Sequence, residues 1–173
     1  CKRKDMLGEY LTMPDMNDIM VKTWNETVPK DGLVFMLGHF ALTESKSHWQ
    51  RFVDSLNGTI IHVRGNHDFY HIKDKELDHT GNCDILEVGF YDDEVESGVR
   101  KFVLCHFPLV TWNGFERGAI HLYGHTHNGY KHPRFNAIEV GVDTRVDTGF
   151  FDPRPYSYEE VLDLVTIKFL DYG

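Results

Sequence analysis

Three short clusters hold the residues able to do chemistry in this chain: Gly65, Asn66, His67, Asp68; then Cys105, His106, Phe107, Pro108; then Gly124, His125, Thr126, His127. Each sets imidazole nitrogens, or an amide oxygen, where an extended apolar run ends. Imidazole and carboxamide donors drawn from separate loops suit a transition-metal site, and a site of that kind points to phosphoester hydrolysis. Taken singly, the clusters have plainer readings. Asn66 can simply turn the chain, His67 can cap a helix, and His106 can be a satisfied core histidine beside apolar neighbours. His125 and His127 differ, because two imidazoles one residue apart reach a common site only where the backbone turns, and Gly124 is expected to permit that turn. Three clusters in this order, each closing an apolar run, are poorly explained as coincidence.

Periodicity indicates the elements that must position them. From Pro14 to about Val28, Met16, Ile19, Met20 and Trp24 recur at helical spacing, with Pro14 suited to the first turn. Leu33 to Leu37 is a short apolar run closed by Gly38, which predicts a buried strand. Ser45 to Leu56 carries a helical stripe through Trp49, Phe52, Val53 and Leu56, with Gly58 as its stop. Thr59 to Val63 is rich in β-branched residues and runs directly into the Gly65 cluster. Phe102 to Leu104 feeds His106, and Ile120 to Tyr123 feeds His125 and His127; in open α/β folds, ligands gather beyond the carboxyl ends of strands. Ala137 to Val142 predicts a further strand. Ser157 and Glu160 then have capping-box spacing ahead of a short helix through Val161, Leu162 and Leu164.

Composition bounds what these elements can build. A chain of 173 residues, 41% hydrophobic and 13% aromatic, can bury about two-thirds of its unfolded surface and is expected to form one domain over residues 1–173. Cys1, Cys83 and Cys105 show no CxxC spacing, so a reducing, cytoplasmic setting is expected rather than a disulfide framework. No run approaches the roughly 18 apolar residues of a membrane span, and no signal segment is visible, so no membrane partner is expected. A formal net charge of −9 disfavours non-specific nucleic-acid binding, which needs a basic face, and leaves a small phosphoester as the expected partner. Oligomeric state is open.

With these residues in view, the chain resembles the calcineurin-like metallophosphoesterase family. Its marks include GNH followed by an acid, a lone histidine after an apolar strand, and GHxH. Trp112 to Gly114, the IHLYGHTHNG stretch, and VGVD at Val140 to Asp143 with PYSYEEV afterwards are similar to the small bacterial and phage members. The resemblance implies an α/β fold, a β-sandwich flanked by helices in α-β-β-α layers, with a two-metal site at one edge. It implies that Asn66, His106 and His125 hold one cation and that His127 serves the other. His67 would then assist the leaving group, with Asp68 orienting it. The implied reaction is hydrolysis of a phosphodiester or phosphomonoester by attack of metal-bound hydroxide, with one or two divalent cations among manganese, iron, zinc and nickel.

Two departures set this chain apart from the family pattern. Where the family has GD, with an aspartate bridging the metals, this chain reads Gly38, His39. A neutral imidazole offers one lone pair and normally binds one metal. The expectation is therefore a weakened second site, a mononuclear site of His39, Asn66, His106 and His125, or a His39 that does not coordinate. The family's opening strand ending in Asp-x-His is also missing, and KDML at Lys4 to Leu7 matches the stretch that follows it, so that motif is expected just before Cys1. Without both features, the alternative is a catalytically impaired relative that binds metal or senses phosphate. No arginine follows the second motif, which argues against phosphoprotein substrates. Lys131, His132 and Arg134 read as a solvated turn, Trp112 and Asn113 as either pocket lining or packing, and Asp92, Asp93, Glu94 and Glu96 as a solvated acidic run. His48, His62, His71, His79 and His121 read as structural or surface residues.

Overall fold

Chain order and capping chemistry set the first layer. The computed structural model describes residues 9–38, 46–68, 82–145 and 151–172; His39, Ser45, His71, His79 and the Lys4 to Leu7 stretch lie outside them. Helix α1 (Met13–Thr27) begins at Thr12, whose Oγ1 accepts from the Asp15 amide while the Asp15 carboxylate accepts from the Thr12 amide. That reciprocal pair satisfies two of the helix's orphan donors. Pro14 occupies the first turn, as its spacing predicts.

Strand β1 (Leu33–Leu37) pairs in parallel with β2 (Thr59–Val63), from Leu33 opposite Thr59 to Leu37 opposite Val63. A parallel pair needs a crossover, and the intervening chain carries helix α2 (Lys46–Asp54). The short strand β3 (Asn82–Cys83) completes a three-stranded sheet in the order β1-β2-β3. Trp24, Val28 and Ile60 pack with Val34, Met36, Phe52, Val53 and Leu56, so α1 and α2 cover one face of this sheet. The Trp24 indole N–H also donates to the Asn57 carbonyl at 2.9 Å.

The second sheet has the order β4-β5-β6-β7. An antiparallel hairpin of β4 (Ile85–Tyr91) and β5 (Val99–Cys105) is followed by β6 (Ile120–Tyr123) and β7 (Ala137–Glu139), both parallel to β5. Alternation along each strand divides its side chains between two cores. Phe35 and Leu37 of β1, Val63 of β2, Leu86, Val88 and Phe90 of β4, and Phe102 and Leu104 of β5 meet between the sheets. Val103 points the other way, into a cluster with Trp112, Ala119, Tyr123 and Ala137 beneath the chain that follows β5. Helix α3 (Tyr158–Tyr172) inserts Tyr158, Val161, Leu162 and Val165 into the core between the sheets.

The molecule is thus a mixed α/β fold with two sheets and three α-helices among the described residues. No helix among them is long and apolar enough to cross a membrane.

Several elements differ from expectation. Strand β4 escapes the sequence reading, because exposed Ile85 and Tyr91 at its ends blur the Leu86, Val88, Phe90 alternation. Helix α3 runs 15 residues rather than a short turn or two, since Lys168 reaches the Ala137 carbonyl at 2.7 Å and Phe135 packs on Phe169, which keeps its second half docked. Strand β7 ends at Glu139 instead of Val142. The acidic run is only partly solvated. Asp92 is buried and binds the Arg100 guanidinium and the Tyr158 hydroxyl, 2.7 Å away, tying α3 to the hairpin; these hydrogen bonds hold its carboxyl below the ordinary range.

Gly38 ends β1 at the junction of the two sheets with φ +81°, and a Cβ there would sit 2.5 Å from His106 Nδ1 and 2.6 Å from Gly65 Cα. Only glycine combines this backbone with that proximity. Gly38→Ala is expected to cost at least about 2 kcal/mol, read as a lower midpoint in urea unfolding.

Candidate functional site

The described members of the three clusters all lie beyond the carboxyl ends of parallel strands: Asn66 after β2, His106 after β5, and His125 and His127 after β6. The turn after β2 is closed from within. The Asp68 amide donates to the Gly65 carbonyl at 3.2 Å, and the Gly65 amide donates back to Asp68 Oδ2 at 2.7 Å. Asp68 is buried, and His62 Nε2, buried one turn earlier in β2, lies 3.2 Å from the same carboxylate oxygen. Asp68 therefore points into the protein as the clasp of this turn. His67 is exposed on its outer side, and Asn66 faces the second sheet.

Asn66 Oδ1, His106 Nε2 and His125 Nδ1 form a nearly equilateral triangle with edges of 3.0, 3.1 and 3.1 Å. The protonation of one corner follows from its other contact. His106 Nδ1 lies 2.7 Å from the Leu37 carbonyl, which can only accept, so Nδ1 carries a proton, and when the ring is neutral Nε2 faces the triangle as an acceptor. Asn66 contributes a second acceptor. Three ligand-type atoms within 3.1 Å of one another can share a cation at their common focus. Ligand atoms about 2.1–2.2 Å from a common centre in adjacent octahedral positions lie about 3.0–3.1 Å apart, against about 3.4 Å for tetrahedral positions. The edges match the octahedral spacing. Among the described residues, no three His, Cys, Asp or Glu side chains come together as a metal cluster; the convergent set is two imidazoles and an amide.

The chain after β6 reaches this geometry at a conformational cost. His125, His127 and Asn128 adopt φ of 67°, 49° and 60°, left-handed values uncommon for residues with a Cβ. The expectation that Gly124 makes the turn is corrected: Gly124 has no positive φ, and a Cβ there would meet the Leu37 carbonyl at an ordinary 3.4 Å. His125 itself takes the unusual conformation. The turn is held by Thr126 N–H to the Gly124 carbonyl and Gly129 N–H to the Thr126 carbonyl, both at 2.8 Å. Two acids reach it from beyond β6: Glu139 accepts from the Asn128 amide at 3.2 Å, and Asp143 Oδ2 lies 2.6 Å from His127 Nδ1. His106, His125 and His127 line one end of a cavity of about 730 Å³ whose remaining walls include Phe35, Phe90 and Tyr156.

Two further histidines are structural, His121 in keeping with one of its expected readings. His121 is buried, donating from Nδ1 to the Val103 carbonyl at 2.9 Å and accepting at Nε2 from the Leu109 amide at 3.1 Å. His132 is also buried, donating from Nε2 to the Leu109 carbonyl at 3.0 Å and accepting at Nδ1 from the Arg134 amide at 3.1 Å. Two neutral imidazoles thus grip both polar groups of Leu109, three residues after His106. This corrects the solvated-turn reading for His132, while Lys131 and Arg134 are exposed. Trp112 is packing: its indole is buried and donates to the Ala119 carbonyl at 2.8 Å. Asn113 is exposed and bonds Glu87. Asp143 and Glu139 are the contributors that sequence reasoning missed, whereas His62 is structural as expected. Asp143 alone carried a signal, as the acid closing VGVD.

Comparison with known proteins adds a shared fold. No family model matches the chain. An uncharacterized protein of Methanocaldococcus jannaschii is 24% identical over 158 residues, covering 90% of this chain and 78% of its own length. The Gene 66 protein of Mycobacterium phage L5 is 26% identical over 172 residues, covering 84% and 79%. The crystal structure of a protein of unknown function from Aquifex aeolicus superposes with a TM-score of 0.57 at 17% identity, covering 88% of this chain and 87% of that one.

The Leu109 clamp makes a pH prediction. Burial holds both His121 and His132 below the ordinary imidazole range, so between the folded and unfolded values the unfolded chain binds protons that the folded one refuses. The stability these rings contribute is complete above the unfolded imidazole value of about 6.5 and is lost as pH falls through the folded values. Between pH 7.5 and 5 the urea midpoint should fall, and the hydrogen-exchange protection factor of the Leu109 amide should fall with it.

Proposed function

We propose that the chain is a metal-dependent phosphoesterase of the calcineurin-like metallophosphoesterase kind, its two sheets forming that family's sandwich, acting on a small phosphodiester or phosphomonoester. The observation that carries this reading is the convergence of Asn66 Oδ1, His106 Nε2 and His125 Nδ1 within 3.1 Å of one another, with the His106 ring held by Leu37. Neutral, nitrogen-rich donors at octahedral spacing suit manganese, iron or nickel, with zinc accommodated by a shift toward tetrahedral angles. One or two such cations, when bound, would supply charge neutralisation at the phosphoryl oxygens and a nucleophile at neutral pH.

The remaining work falls to the chain's own residues. Neither imidazole nor the amide brings negative charge, so the positive potential that draws a phosphate is left uncancelled. His67, exposed beside Asn66, would give a proton to the leaving oxygen. Asp68 holds the turn through the Gly65 amide and so positions Asn66 and His67 together. Cys83 and Cys105 carry free thiols, which suits a reducing, cytoplasmic setting.

Manganese-dependent hydrolysis of bis-p-nitrophenyl phosphate tests the proposal. His67→Ala should lower kcat by about 10²–10⁴-fold with manganese content unchanged, whereas His125→Ala should lose manganese and turnover together. Manganese uptake without turnover in the unsubstituted chain would favour the non-catalytic metal-binding alternative.

A further inference from the structure

Asp143 lies outside the triangle, yet its carboxylate is the partner of a cluster histidine. Its Oδ2 is 2.6 Å from His127 Nδ1, and the acid is largely buried while the imidazole is mostly exposed. The segment bearing Asp143 is itself anchored. The Thr144 amide bonds the Gly141 carbonyl at 3.0 Å, the Thr144 hydroxyl meets Tyr156 at 2.9 Å, and the Arg145 guanidinium makes two bonds to Glu160 at 3.0 and 2.7 Å. The carboxylate thus approaches a left-handed turn from a fixed base.

We propose that Asp143 is a positioning residue that acts through His127. A carboxylate can only accept, so it stabilises the proton on Nδ1, and in the neutral ring the lone pair then belongs to Nε2. An exposed histidine with no such partner favours the opposite tautomer, with its proton on Nε2 and no lone pair to offer there. Asp143 therefore selects which nitrogen His127 presents and holds the ring against the mobility its exposure would allow. This rests on the phosphoesterase reading for the use of that nitrogen as a ligand, but the tautomer itself does not depend on it.

Two readouts separate the parts. Long-range ¹H–¹⁵N NMR of the metal-free chain should find His127 as the Nδ1–H tautomer in the unsubstituted protein and in Asp143→Asn, whose amide oxygen still accepts, and as the Nε2–H tautomer in Asp143→Ala. Calorimetric titration with manganese(II) should give an affinity about 10–100-fold weaker in Asp143→Ala, largely restored in Asp143→Asn. The Asp143→Ala penalty should vanish in a His127→Ala background, where no ring remains to position. An unchanged tautomer in Asp143→Ala, or an undiminished penalty in the His127→Ala background, overturns the inference. An intact Nδ1–H tautomer in a chain that takes up no manganese overturns the phosphoesterase reading and the ligand role of His127 with it.

Discussion

The bond from His106 Nδ1 to the Leu37 carbonyl joins the last residue of β1 in one sheet to the first residue after β5 in the other, and the geometry of the site depends on it. Without that acceptor, the His106 proton would be free to sit on either nitrogen, and the lone pair that meets Asn66 and His125 would not be assured. The bond is possible because Gly38 lacks a side chain: the space a methyl would take is filled by the His106 ring and the Gly65 backbone. One carbonyl and one missing Cβ thereby bring the ends of β1, β2 and β5 to a single point.

Around that point, the supporting groups follow one pattern. Loop backbone beyond a strand end has no ladder partner, so its polar groups must be satisfied by side chains. Asp68 does this for Gly65, Glu139 for Asn128, and His121 with His132 for Leu109. Among the described residues, His106, His121 and His132 divide by partner. Those buried between two backbone groups are structural. His106 has one backbone partner and turns its second nitrogen toward other donors, and it is the corner on which the candidate site is built.

Much of this was legible in the sequence, for physical reasons. Strand β2 coincides with the β-branched run from Thr59 to Val63, and β1 with Leu33 to Leu37, because both are parallel strands with packing partners on two faces and so are rich in apolar residues. The Ser157 and Glu160 capping box forms in both directions. The convergence of Asn66, His106 and His125 was implied by the family resemblance. What escaped was tertiary. No local pattern tells that Asp92 will meet Arg100 and Tyr158, that His132 will be covered, or that His125 rather than Gly124 will take the left-handed turn. His39 lies outside the described residues, so its part in the site rests on sequence alone.

Leu37 and His106 are 69 residues apart, which gives the inter-sheet bond a kinetic meaning. Closing so long a loop is slow compared with forming a helix or hairpin, whereas His125 and His127 are neighbours on one turn from the moment that turn forms. During folding, a cation would therefore meet the local pair before the long-range triangle existed. Metal supplied early could hold the chain in a partly assembled state, while metal supplied after the sheets have joined would find all three donors in place. If the proposed cation binds, the order of folding and metallation, and not affinity alone, would then govern how much of the protein is loaded.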